Sequence, residues 1–274
     1  MSIRLTRETF ALPRAPEPDV EIFAFGDIHG RSDLLGALME AAASEPKRAS
    51  RRTVVFLGDI IDRGPDSLGA IALSATAAAS LGADEVVRLL GNHEQLMRMA
   101  LTGETPEAAA REAFEVWRSN GGEHVIAEFP DLRVVSRDSA SLLLSAREAL
   151  PTAARDYLTS LQPHWRSGSL LFVHAGVNPA QPLETALAAP WDVPLSELDQ
   201  DAHWAWSARP SSIISRAMRD EAAISSCTAT RRTTGAGGRR TPTSCEASAS
   251  TSMAAPASPG LAGWRSCAAA GPRS

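Results

Sequence analysis

Four short segments of this 274-residue chain set acidic, imidazole and amide side chains beside glycine. They are Gly26-Asp27-Ile28-His29-Gly30, Gly58-Asp59-Ile60-Ile61-Asp62-Arg63-Gly64, Gly91-Asn92-His93-Glu94 and Val173-His174-Ala175-Gly176. Hard oxygen donors mixed with imidazole suit Mn²⁺, Fe or Zn²⁺. A carboxylate that bridges two such ions holds them close enough to share one hydroxide, a strong nucleophile at neutral pH. Glycines flanking the aspartates let the chain turn sharply after a strand and let metal and phosphate approach without a Cβ clash. A lone aspartate after a strand is more often a turn or capping residue. Four ordered motifs in one chain outweigh that bland reading.

Such side chains act together only if the elements carrying them converge. Positions 20–25, 53–57 and 85–90 are apolar, strand-like runs, each followed by glycine, and 170–173 is a fourth that precedes His174. Helix-patterned segments lie between them at 32–43, 66–80 and 94–101. This alternation predicts a largely βαβ sheet, and in an open α/β sheet the loops at the carboxyl ends of the strands meet at one crevice. Ser32 and Asp66 stand where N-caps are expected, and Pro106, after Thr105, opens a helix towards Trp117. Gly121 and Gly122 mark a turn, and a further helix is expected over 151–162.

The motifs GDIHG, GDIIDRG, GNHE and HAG, in this order and at these separations, resemble the bacterial phosphoprotein phosphatase branch of the calcineurin-like metallophosphoesterases, over about residues 20–206. The resemblance implies an α/β fold, a β-sandwich flanked by helices, and two divalent metal ions, Mn²⁺ first, with Fe or Zn²⁺ as alternatives. It implies that Asp27 and His29 bind the first ion, that Asp59 bridges, and that Asn92 and His174 bind the second, Asn92 also facing the phosphate. By the same resemblance His93 protonates the leaving oxygen, Asp62 orients His93 and Arg63 clamps the phosphate. The chemistry of each group agrees: a carboxylate fixes an imidazole's tautomer and favours its charged form, and guanidinium binds phosphate bidentately. The implied reaction is direct in-line hydrolysis, since no nucleophilic Ser or Cys accompanies the motifs. The expected substrate is a phosphoserine or phosphothreonine protein, or a small phosphoester. Dinucleoside tetraphosphate hydrolases share GDIHG and GNHE but tend to lack the acidic residue before Arg-Gly that Asp62 supplies. A non-catalytic remnant that binds metal or phosphate is a third reading, from a different class.

A net charge of −5 with dispersed Lys and Arg argues against nucleic acid as partner, and no apolar run is long enough to span a membrane. Residues 1–20 carry no signal-peptide pattern, so a cytoplasmic location is expected. Cys227, Cys245 and Cys267 are too far apart in sequence for a CxxC metal site. His124, His164 and His203 lack partnered spacing and receive no role, and Trp165, Trp191, Trp204 and Trp206 are expected to pack the sheet edge.

After Trp206 the composition turns to Ser, Thr, Ala, Arg, Gly and Pro without sustained period, so the catalytic core is expected over 1–206 and a poorly ordered tail over 207–274. The arginine pairs Arg231-Arg232 and Arg239-Arg240 read as solvated. The family's later motifs, Gly-His-Thr with a preceding His and then Asn-x-Asp-x-Gly, are absent, and no histidine follows His203. Codons formed from the third base of one codon and the first two of the next allow Val-Val-His-Gly-His-Thr-Pro across 225–232 and Val-Asn-Ile-Asp-Gly-Gly across 249–255. We read this as a single-base frameshift near Trp206. It leaves the C-terminal strands incomplete and the second ion with Asp59, Asn92 and His174 alone.

Overall fold

A computed structural model of the chain describes residues 3–10, 14–130, 132, 138–178, 180–191, 193–199, 203–206, 225–227 and 261–267. In chain order these form β1 (Arg4–Phe10), β2 (Val20–Phe25), α1 (Ser32–Ala43), β3 (Arg51–Phe56), α2 (Ser67–Leu81), β4 (Glu85–Arg88), α3 (Asn92–Leu101) and α4 (Glu107–Trp117). A π-helical turn (Arg118–Gly122) leads into α5 (Glu123–Ala127), followed by α6 (Ser139–Ala149), α7 (Thr152–Thr159), β5 (Trp165–Ser167), β6 (Leu170–Phe172), α8 (Leu183–Leu187), β7 (Ser225–Cys227) and β8 (Leu261–Cys267).

Strands β2, β3 and β4 form a parallel sheet, joined through α1 and α2 as βαβ units. Both faces of this sheet are covered, which is why its strands carry consecutive apolar residues, at 22–25, 54–56 and 86–87, rather than strict alternation. On one face Val20, Ile22, Ala24, Val55, Leu57, Val87 and Leu89 meet Leu170 and Phe172 of a second sheet, ordered β5-β6-β7. Trp165 packs there on Phe172, ring centroids 5.2 Å apart. On the other face Phe23, Phe25, Val54 and Phe56 enter a larger core built with the helices, including Leu35, Leu38, Ile71, Leu96, Phe114 and Trp117. The molecule is therefore an α/β sandwich flanked by helices. Among the described residues no helix is long and apolar enough to cross a membrane.

Local chemistry sets the element ends. Asp66 caps α2, its carboxylate accepting the Gly69 amide at 3.0 Å, and Gly82 closes the helix in the left-handed conformation. Ser32 does not cap α1: it is the first helical residue, Arg31 holds the cap position without a side-chain bond, and the Ser32 hydroxyl instead donates to Asp66. Helix α3 starts at Asn92, two residues before the expected start, with Gly91 extended ahead of it. Gly121 breaks the π turn at φ 112°, where the glycine pair predicts a turn.

Strands β1 and β5 and helices α5, α6 and α8 escape the sequence reading. Leu5 is the one aliphatic residue in the seven of β1, Arg-Leu-Thr-Arg-Glu-Thr-Phe, and its partner β8 lies more than 250 residues on, so no local apolar run betrays it. Within the tail, β7 pairs parallel with β6 and β8 pairs antiparallel with β1. Cys227 and Cys267 lie on these strands, whereas 228–260, with Cys245 and both arginine pairs, lies outside the described residues.

Candidate functional site

The parallel sheet delivers its motifs to one edge. Asp27 follows β2, Asp59 follows β3, Asn92 and His93 open the helix after β4, and His174 follows β6. Five non-glycine residues among those described have positive φ, and four of them are here: His29 (47°), Asp59 (53°), Asp62 (73°) and Arg63 (65°). Such conformations cost free energy and persist only where surroundings over-determine them. Here the loops brace each other. The Ile28 and His29 amides both donate to the Asp59 carbonyl at 2.9 Å, and the Gly30 amide donates to Ile60 at 2.7 Å. Gly58 (φ 98°) is required, because a Cβ there would lie 2.5 Å from the Gly91 amide nitrogen.

Two groups of donor atoms result, each with its atoms within 4.8 Å of one another: His29, Asp59 and His93, and Asp27, Asp59 and His174. Asp59 belongs to both. Asn92 joins the second, its Oδ1 lying 3.2 Å from His174 Nε2. Asp27 thus falls with His174 as well as beside the His29 loop, and His93 falls among the potential ligands although its Nδ1 is engaged elsewhere.

These residues fit divalent cations. His29 Nδ1 faces the Ile61 carbonyl at 3.1 Å and His174 Nδ1 faces the Leu57 carbonyl at 2.8 Å. A carbonyl only accepts, so each Nδ1 carries hydrogen and Nε2 is the nitrogen that can ligate, already free in His29 and freed in His174 once its second proton leaves. Asp27 Oδ1 is buried without a hydrogen-bond partner. Burial, reinforced by the Asp59 charge, pushes the Asp27 carboxyl up to about 6. Burial alone would lower His174, but Asp59, Asp27 and Glu94 outweigh it and raise the imidazole to about 10. Burial also brings His29 down to about 4. Acids that resist ionising beside an imidazole that holds its proton mark a place where positive charge is stabilised.

A dyad adjoins the donors. His93 Nδ1 lies 2.5 Å from Asp62 Oδ2, both side chains buried. Burial opposes charging His93, yet Asp59 and the Asp62 hydrogen bond prevail and raise it above the ordinary histidine value. Arg63 donates through Nη1 to His29 Nε2 and through Nη2 to His93 Nε2, each at 2.7 Å, so its guanidinium spans the mouth of the first donor group.

Every residue the motifs nominate is gathered at this edge: Asp27, His29, Asp59, Asp62, Arg63, Asn92, His93 and His174. Three further residues matter that sequence reasoning passed over. Glu94, wholly buried, accepts the amides of Asp59 at 2.7 Å and Ile60 at 2.8 Å, and Tyr157 donates its hydroxyl to Glu94 at 3.2 Å. Burial, then the Asp59 charge, pushes Glu94 up to about 7. Trp117 donates its indole N–H to both Asp62 oxygens, at 3.0 and 2.9 Å. Glu94 could have been flagged from its place in Gly-Asn-His-Glu, but nothing in the letters connects Trp117 or Tyr157 to the motifs. His203 is buried beside Trp204 rather than near the donors, and Trp204 and Trp206 pack the helical core, Trp206 donating to Gln95 at 2.8 Å.

The family model for calcineurin-like phosphoesterases matches residues 20–199. Serine/threonine-protein phosphatase 1 of Salmonella typhimurium (strain LT2) is 35% identical over 102 residues, 37% of this chain and 39% of that protein. A symmetrical bis(5'-nucleosyl)-tetraphosphatase of Acidovorax sp. (strain JS42) is 29% identical over 167 residues, 61% of this chain and 48% of that protein. A solved structure of a cold-active protein tyrosine phosphatase overlaps 78% of this chain and 66% of its own at 16% identity, with a TM-score of 0.46. The chain thus spans about half or less of the length of the curated relatives it matches. With the family model extending over most of the chain and enclosing all four motifs, the chain belongs to the calcineurin-like phosphoesterases.

Proposed function

We propose that this chain hydrolyses phosphomonoesters, with phosphoserine and phosphothreonine in proteins as its substrate class. Asp27, His29, Asp59, Asn92 and His174 would hold two divalent cations, Mn²⁺ being the first choice for a mixed carboxylate, amide and imidazole set. When bound, such a pair activates water and neutralises the charge that develops on phosphoryl oxygens. The remaining work falls to the chain's own groups. Arg63 grips the phosphate through its planar fork, and Asn92 offers its amide to the same oxygens. His93, aligned by Asp62, would give a proton from Nε2 to the departing alkoxide once Arg63, which faces that nitrogen at 2.7 Å in the free site, has turned to the phosphate.

The single observation that carries the reading is the buried His93–Asp62 pair beside a carboxylate common to two donor groups. A proton donor of raised pKa suits an alkoxide leaving group, which departs poorly without one. The test is steady-state hydrolysis with Mn²⁺ of a phosphoserine peptide against diadenosine tetraphosphate. Higher kcat/KM for the peptide is expected, and preference for the tetraphosphate overturns the assignment. The longer match to the tetraphosphatase favours that second reading, whereas the buried Asp62 favours the first.

The frameshift reading belongs here too. Strand β7 runs parallel to β6 with Phe172 opposite Cys227, so β7 ends at the end of the sheet where His174 follows β6. The alternative frame would put His-Gly-His-Thr there. Sequencing the gene across codons 200–232 decides it, and a closed alternative frame refutes it.

A further inference from the structure

Asp62 is wholly buried and sits in left-handed backbone, so neither solvent nor local preference fixes the rotation of its carboxylate. Two groups do. His93 Nδ1 takes Oδ2 at 2.5 Å, and the indole N–H of Trp117 sits across Oδ1 and Oδ2 at 3.0 and 2.9 Å. Trp117 ends α4, more than fifty residues from Asp62, and is itself fully buried. Its ring is held against Gly122, where a Cβ would meet indole carbons at 2.5 Å. The π turn between them also reaches Arg63. The Arg63 amide donates to the Gly121 carbonyl and its Nε to the Asn120 carbonyl, both at 3.4 Å. A Cβ at Gly121 would come within 2.8 Å of Arg63 Cγ. Gly121, at φ 112°, kinks the chain between α4 and α5, and the kink brings its carbonyl to the Arg63 amide.

We propose that Trp117 is a positioning residue that acts through Asp62 on His93, and that the π turn after it sets Arg63 from the same base, so one segment aligns proton donor and phosphate clamp. This rests on the phosphomonoesterase reading above. The physical reason is geometric. A carboxylate bonded only to the imidazole can rotate about χ2 and trade oxygens, letting His93 switch tautomer and turn Nε2 away from the leaving oxygen. An N–H bonded across both oxygens removes that freedom at little cost in side-chain entropy, because the indole is already packed.

The test replaces Trp117 with phenylalanine and, in a second protein, with benzothienylalanine, which keeps the bicyclic shape and lacks the N–H. Each is assayed with Mn²⁺ on a phosphoserine peptide, whose alkoxide needs protonation, and on 4-nitrophenyl phosphate, whose leaving group does not. With general acids contributing about 10²–10⁴-fold, a misaligned donor is expected to cut kcat on the peptide by about tenfold or more and to change kcat on the aryl ester by less than about twofold. An equal fall on both substrates overturns the proposal, because lost packing alone would slow them alike. Nitrogen-15 spectra of the histidine rings, recorded without paramagnetic metal, separate this from failure of the function itself. His93 should show one Nδ1–H tautomer in the unaltered chain and a mixture in both replacements. Unchanged His93 shifts overturn the positioning role even if no substrate is turned over, whereas absence of turnover with the tautomer change refutes only the phosphomonoesterase reading.

Discussion

The Glu94 carboxylate is not among the expected ligands, yet it holds the Asp59 and Ile60 amides in a strained turn. Glu94→Gln sets an amide N–H against one of those donors while preserving volume. Outer groups of this kind typically change metal affinity by about 10–100-fold on mutation. The expected outcome is an intact fold with Mn²⁺ affinity lower by that order, read by calorimetric titration, and unaltered affinity would show that the turn stands without the clamp. The pH dependence follows from the same groups. Asp27, raised to about 6, must lose its proton before it ligates, and His174, raised to about 10, must free Nε2. Cation affinity should therefore climb from about pH 5, where Asp27 begins to ionise, to about pH 10, where His174 frees Nε2. In the metal-free chain both groups bind protons more tightly when folded, so stability is lost as pH rises through their folded values. Melting temperatures with Mn²⁺ and with chelator should accordingly diverge towards high pH, and convergence would contradict the assignment of these residues as ligands.

At the level of elements, the parallel sheet is anchored at the end away from the site by a buried ion pair. Arg52 on β3 donates Nε to Glu21 on β2 at 2.6 Å, bonds the Leu81 carbonyl at the end of α2, and lies 4.8 Å over the Phe23 ring. Removing one member leaves the other charge buried without its counter-charge, at a cost of about 3–5 kcal/mol. Arg52→Ala should lose about that much in urea unfolding, and a loss below about 1 kcal/mol would mean that water reaches Glu21. The elements that position the site were largely legible, because β2, β3 and β4 are apolar runs closed by glycine and β6 is an apolar run that ends at His174, all local signals. The rest was not. Trp117 and Tyr157 reach the motifs only through tertiary packing of α4 and α7, and β1 pairs with a strand in a segment whose composition predicts no strand. Spacing conveys which residues can do chemistry and is silent on what braces them.

For the whole molecule, the question is whether the second donor group suffices with Asp27, Asp59, Asn92 and His174. If the tail derives from a displaced frame, a chain carrying the restored frame from codon 207 should bind two Mn²⁺ tightly, where the chain as written binds one tightly and one weakly. Metal stoichiometry by mass spectrometry after gel filtration, set beside phosphatase rate, makes the comparison. Equal stoichiometry and rate in both would show that the existing donors are enough.

Among ordinary residues, aspartate and histidine are the ones that best endure left-handed backbone, and asparagine endures it equally. The turns at Asp59 and Asp62 would therefore accept Asp→Asn with the architecture intact. One base change at either position could silence turnover while sparing the scaffold, so a lineage built on this hairpin-tight geometry has a short evolutionary path from hydrolysing phosphoesters to merely capturing them.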